Sequence, residues 1–338
     1  MEDLTALEEK MLTPSEALIA DIGQIEGDIM LLGIAGKMGP SMARLASKAV
    51  EMAGTNQRII GVSRFSNPGI RAQLEKSGVE TISADLLNED ELFALPGVPN
   101  VIYLAGYKFG TVGNEGYTWA MNSYLPGRVA EKFQQSRIVA FSSGNVLPFV
   151  NITDGDADEF TAPRPLGEYA QSCLGRERIF QYFSHKNNTP VLIYRLNYAV
   201  DFRYGVLMEI AQSVYHRRAI DLTTGHVNVI WQGDANEIAI RALLHCQVPA
   251  KVLHVTGPET LSTRWVAQEF GKRFGRPPLF INEPHGTALL NNASECHYLF
   301  GYPRVTIREM IDLCAAWLLN GGEILGKPTH FQERGGKF

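Results

Sequence analysis

The residues that announce chemistry first are Gly33, Gly36 and Gly39, set in the run Gly33-Ile34-Ala35-Gly36-Lys37-Met38-Gly39. The run follows an apolar stretch and opens a helical one at Pro40-Ser41. Glycines in that context allow a tight turn and let backbone N–H groups and a helix N-terminus approach a pyrophosphate. This is the pattern of a dinucleotide site, with Gly33, Gly36, Lys37, Met38 and Gly39 as its candidate contacts. At the end of the next apolar run, Gly61-Val62-Ser63-Arg64, no carboxylate stands ready for a ribose 2′-hydroxyl. Arg64 there suits a 2′-phosphate, so NADP is favoured over NAD.

Metal chemistry finds no support. The four cysteines, Cys173, Cys246, Cys296 and Cys314, are far apart, and the histidines show no HExxH spacing. Asp154, Asp156 and Asp158 alternate as in a calcium loop, but Glu159 holds the sixth place where glycine is required and Pro165 the twelfth.

The glycine turn needs a strand before it and a helix after it, and the chain supplies both repeatedly. Short apolar runs at Ile29 to Leu32, Arg58 to Val62, Thr81 to Ser83, Val101 to Leu104, Arg137 to Phe141 and Val191 to Tyr194 read as buried strands. Helical stretches lie between them, notably Ser41 to Met52, Tyr117 to Gln134 and Tyr169 to Phe183. The alternation predicts an α/β fold, a Rossmann-type doubly wound parallel sheet with right-handed crossovers. Residues 28–200 form the NAD(P)-binding domain, with 228–255 returning to it. A smaller C-terminal α/β substrate lobe takes 201–227 and 256–325. Within these later segments the expected elements are a helix at Tyr204 to His216, a strand at Val227 to Trp231, a helix at Ala235 to His245 capped by Asp234, a strand at Lys251 to Val255, and helices at Thr263 to Phe274 and Thr306 to Leu319. Residues 1–27 read as an appendage with one helix capped by Thr13, and 326–338 as an uninformative polar tail.

Several residues after the strands resemble the extended short-chain dehydrogenases/reductases, the NAD-dependent epimerase/dehydratase family. Ala84-Asp85-Leu86 is similar to the adenine-contacting segment, Leu104-Ala105-Gly106 to the small-residue segment beneath the cofactor, and Asn122 to the asparagine of the following helix. Phe141-Ser142-Ser143-Gly144-Asn145-Val146 resembles the segment carrying the catalytic serine, which implies Ser143 in that role. The acidic, proline-punctuated stretch from Asp156 leads to Tyr169, the counterpart of the catalytic tyrosine. The resemblance implies that Tyr169 exchanges a proton with a substrate hydroxyl while Ser143 hydrogen-bonds the developing oxyanion.

The departure is Cys173, one helical turn after Tyr169, where the family carries a lysine whose charge lowers the phenol pKa. Lys108 and Arg176 are the candidate replacements, each weighed against an ordinary solvated role. With Asn145 and Asn197, they are also the candidate substrate contacts. The resemblance to the RPxNVYG stretch at Arg195 to Asp201 is looser, since Tyr198 and Asp201 replace its asparagine and glycine.

A chain of 338 residues with 45% hydrophobic content, net charge −5 and no basic cluster excludes disorder and the electrostatic footprint of nucleic-acid or anionic-membrane binding. No apolar run spans a bilayer. The expected ligand is a small carbohydrate-like molecule, a sugar, sugar acid or nucleotide sugar. The expected protein is cytoplasmic and, by the resemblance, a homodimer. The competing expectation is a catalytically silent NAD(P)-binding sensor, which the Cys173 departure allows.

Overall fold

The computed structural model describes residues 4–108, 110–327 and 329–337. Its centre is a seven-stranded parallel sheet of β1 (Ile29–Leu32), β2 (Ile59–Ser63), β3 (Glu80–Ser83), β4 (Asn100–Tyr103), β5 (Arg137–Ser143), β6 (Val191–Leu196) and β7 (Lys251–Val255). In space the order is β7-β6-β5-β4-β1-β2-β3. The chain therefore reverses its winding between β1 and β4, and a crevice opens at their carboxyl ends.

Strand β1 is apolar at every position because both of its faces are covered. Ile29 and Leu31 join the core on one side, with helices α2 (Glu16–Ile22), α3 (Gly39–Ala53) and α10 (Gln232–Arg241). Met30 and Leu32 join the core on the other side, which draws on α5 (Glu89–Ala94), α7 (Leu125–Lys132) and α8 (Gly167–Asn187). A period-two backbone with apolar residues at each step can be buried only this way.

A second core forms where α9 (Val206–Tyr215), α11 (Thr263–Phe274) and α13 (Ile307–Leu319) pack with Phe202 and Trp231. The expected strand Val227 to Trp231 is split. His226–Val227 pairs antiparallel with Leu261–Ser262, while Ile230–Trp231 pairs parallel with Ala199–Val200. Between them Asn228 turns inward, donating to Asn291 O at 2.9 Å and to Asp156. The long helix expected from Tyr117 is also broken: α6 (Glu115–Trp119) runs into a π segment, Ala120–Tyr124, before α7.

The N-terminal residues are not an appendage. Leu7 and Met11 of α1 (Leu4–Met11) enter the second core, and Leu18 and Ile22 of α2 are fully buried in the first. The cap of α2 is Ser15, not Thr13, with Oγ accepting from Leu18 N–H and donating to Glu237. Asp234 likewise does not cap its helix. It lies in the first turn of α10 and accepts from Val305 N–H at 3.1 Å. Burial pushes its carboxyl up to about 6.

Candidate functional site

The glycine turn closes because of two contacts that only glycine permits. Gly33 has φ of +87°, and a Cβ there would stand 2.7 Å from Ala105 N. A Cβ on Gly39 would stand 2.0 Å from Ile34 O. Together these clamp the turn to the end of β4 and start α3 directly above it. Met38, the residue before α3, makes no side-chain cap, so the first-turn amides remain directed at the crevice. A pyrophosphate fits this cradle.

From the cradle two clefts run apart, sharing Gly33, Gly36 and Leu104. One, of about 960 Å³, is walled by Ser63, Arg64, Ser66 and Asn67 after β2 and by Asp85, Leu86, Ala105 and Gly106. Arg64 is 60% exposed and lies 3.9 Å from Asp85, so its guanidinium is available to a ligand at the end of β2. The other cleft, of about 1060 Å³, brings together Lys37, Met38, Lys108, Ser143, Asn145, Tyr169 and Asn197. Burial pushes the Lys37 amine down to about 8, while Lys37 donates to Ala199 O at 2.8 Å and lies over the Tyr204 ring.

Ser143 is the last residue of β5 and pairs with Leu196 of β6, which fixes its direction out of the sheet. Its Oγ accepts from Asn145 N–H at 3.2 Å, turning the chain away at once. Tyr169 comes from the first turn of α8 and lines the same cleft as Ser143. Burial raises the phenol well above its ordinary value; Cys173, one helical turn on, adds to this, while the Arg176 charge and the Ser143 hydroxyl oppose it. Burial raises the thiol too.

Two expected contacts lie elsewhere. Arg176 is neither solvated nor in the cleft wall; it is buried and donates to Phe141 O, Asn122 O and Asn122 Oδ1. Asn122 is fully buried in the π segment, where its amide also ties Tyr107 and Ser172. Both residues brace α8 against β5 and the segment after β4. Neither lines the two clefts.

A buried polar chain supports the Ser143–Tyr169 pair from below. Ser142 Oγ donates to Glu177 Oε1 at 2.6 Å, and Arg195 grips the same carboxylate from Nε at 2.9 Å and Nη2 at 2.7 Å. Arg195 Nη1 lies 3.2 Å from His254 Nε2, and His254 Nδ1 lies 3.1 Å from Ala157 O. A neutral imidazole protonated at Nδ1 satisfies both contacts. Burial and the Arg195 charge push His254 down to about 4. The chain thus joins β5, α8, β6, β7 and the loop that leads to Tyr169, holding the serine and tyrosine in register.

No motif in the sequence marks the place of the C-terminal segment. Thr329 reaches the cleft that holds Ser143 and Tyr169 and donates to Glu209 of α9. Arg334 donates to Thr287 and lies over the Phe149 ring, and Gly336 packs against Leu166 and Gly167 beside the start of α8. This segment walls a further narrow cavity, which shares Lys108, Asn145, Tyr198 and Thr329 with the cleft that holds Ser143 and Tyr169. Its apolar lining includes Leu147, Phe149 and Leu289.

Residues 29–226 match the family described as NAD dependent epimerase/dehydratase family. The chain belongs to this family. Among solved structures it is similar to MoeE5 in complex with UDP-glucose and NAD, at 18% identity and TM-score 0.69, covering 87% of this chain and 99% of that one. It is similar as well to UDP-glucuronic acid 4-epimerase from Bacillus cereus, at 15% identity and TM-score 0.70, again over 87% and 99%. The epimerase Mth375 from Methanothermobacter thermautotrophicus matches over 91% and 97%, at 16% identity and TM-score 0.72. At such identities the likeness concerns the fold. No curated protein matches the chain in sequence. Among the described residues, no helix of this family member is long and apolar enough to cross a membrane.

Proposed function

We propose that this family member is an NAD(P)-dependent oxidoreductase, epimerase or dehydratase that acts on a sugar, sugar acid or nucleotide sugar by hydride transfer. The observation that carries the reading is that Ser143 and Tyr169 line one cleft with the glycine cradle, Gly33 to Gly39. The similar structures complexed with NAD and nucleotide sugars support it. A bound nicotinamide supplies or accepts the hydride. Gly33 to Gly39 and the α3 amides hold the pyrophosphate, and Arg64, with Ser63, Ser66 and Asn67, holds the adenosine end. NADP is favoured, because the exposed Arg64 guanidinium after β2 can make a charge-assisted contact with a 2′-phosphate.

Tyr169 Oη gives its proton to the substrate oxygen, or takes one from it, while Ser143 Oγ hydrogen-bonds the same oxygen and so fixes its direction. The phenol is held protonated by burial, which suits proton donation to a carbonyl oxygen. The homodimer is proposed to form on the face of α6, the π segment and α8, where Trp119, Tyr124 and Tyr182 are exposed.

The second reading, a silent NAD(P) sensor, is favoured by Cys173 alone. Fluorescence titration with NADPH and NADH, followed by product analysis by NMR across a panel of sugars, sugar acids and nucleotide sugars, separates the two. The enzyme reading expects turnover that Tyr169→Phe abolishes while cofactor affinity stays within about fivefold, because one hydroxyl contact is worth about 1 kcal/mol. Cofactor binding without any product selects the sensor. Failure of both cofactors to bind refutes the cradle.

A further inference from the structure

Tyr169 is a buried phenol, and a buried phenol exchanges protons efficiently only when a cation stabilises its ionised form. Two cations come near it. Arg176 is spoken for by three oxygen acceptors and lies behind the cleft wall, so it contributes a fixed field and touches no ligand. Lys108 stands on the other side, just after β4. Its Nζ is 5.7 Å from the centroid of the Tyr169 ring. It is also one of four residues common to the cleft that holds Ser143 and Tyr169 and to the cavity walled by the C-terminal segment. A side chain in that dividing wall borders the phenol and the cleft through which a substrate would reach it.

We propose that Lys108 is a catalytic residue whose ammonium contacts the reacting substrate oxygen and stabilises the Tyr169 phenolate formed when the phenol gives up its proton. The inference rests on the hydride-transfer reading above. In the proton step the Tyr169 O–H bond breaks and a new O–H bond forms on the substrate oxygen. The negative charge left on Oη then faces Nζ. If the substrate brings Nζ and Oη to roughly 6 Å, unit charges at an effective dielectric near 20 shift the ionisation by about two pH units, or about 100-fold in the population of the phenolate.

Among the described residues, the titratable and charged groups near Lys108 are Tyr169 and Cys173 of α8 and Lys37 of the glycine turn, while His330, Glu333 and Arg334 of the C-terminal segment line the space it borders. Burial pushes the Lys108 amine down to about 8, within reach of working pH. Lys37 falls in the same range, so a control on Lys37 is needed.

The test uses the full chain labelled with ¹³C-lysine, with the Lys108 Cε signal assigned from its loss in Lys108→Arg and followed by NMR against pH. The pH dependence of kcat is recorded alongside. The expected result is a Lys108 midpoint at least one unit below the ordinary lysine value of about 10.4, and an alkaline limb of kcat at the same pH. Lys108→Met should lower kcat about 100-fold with NADPH affinity within threefold, as two pH units of lost phenolate stabilisation requires. Lys108→Arg should recover part of the rate and move the limb upward by more than one unit, because guanidinium does not titrate there, whereas Lys37→Arg should leave the limb in place. An ordinary Lys108 midpoint, an undiminished kcat in Lys108→Met, or a limb that moves with Lys37 and not with Lys108 overturns the proposal while the hydride-transfer reading stands. Absence of turnover in the wild-type protein overturns both.

Discussion

His254 offers a quantitative test of the polar chain beneath the site. It is fully buried, and its imidazole is shifted from the ordinary 6.5 to about 4, first by burial and then by the Arg195 charge. A group whose native pKa lies below its unfolded value favours folding above the unfolded value, and that contribution is lost as pH falls toward the native one. Here the unfolded chain takes up a proton below pH 6.5 that the native state refuses until about pH 4. At 1.36 kcal/mol per unit, the full loss across that window is about 3 kcal/mol. His254→Gln retains a donor for Ala157 O and an acceptor for Arg195 but cannot titrate. The assay is urea unfolding of wild type and variant at pH 7.5, 6.5, 5.5 and 4.5, followed by tryptophan fluorescence, with Trp231 buried in the core. Wild type should lose about 2–3 kcal/mol relative to the variant between pH 7.5 and 4.5. Asp234, shifted up to about 6, has the opposite sign of pH dependence, yet it is present in both proteins and cancels in the difference. Parallel stability curves would refute a neutral His254 bridging Arg195 and Ala157.

Two further changes test the cofactor cradle. Gly33→Ala places a side chain at φ +87° and 2.7 Å from Ala105 N, so cofactor affinity should fall at least tenfold and stability by about 1–3 kcal/mol, read by NADPH titration and thermal unfolding. Arg64→Ala should weaken NADPH by roughly 10- to 100-fold, the value of a charged hydrogen bond, and leave NADH nearly unchanged. Equal losses for the two cofactors would remove Arg64 from the 2′-phosphate site.

The parts legible in the sequence are those governed by local physics. Apolar runs such as Ile29 to Leu32 must be buried strands, glycines flanked by strand and helix must make a tight turn, and Phe141 to Asn145 ends a strand at a small hydroxyl. None of these depends on a distant partner. The helix from Tyr117 was legible as a helix but not its π segment, since widening one turn answers to Asn122 meeting Ser172 and Arg176 of α8.

Cys173 was visible as a departure; its consequence was not. Arginine is usually exposed, and only the packing of α8 against β5 and the Asn122 segment turns Arg176 inward. The N-terminal helices and the C-terminal segment carry no motif, so nothing local marks them as core and cavity wall. Their places are decided by Leu18 and Ile22 against the sheet helices, and by Arg334 and Gly336 against Thr287 and the start of α8. By itself the sequence determined the strand–turn–helix cradle and the residue types at the ends of the strands, because those depend on neighbours in the chain. Tertiary structure alone decided which cation faces Tyr169 and what closes the cavity beside it, because both depend on contacts between segments up to more than a hundred residues apart.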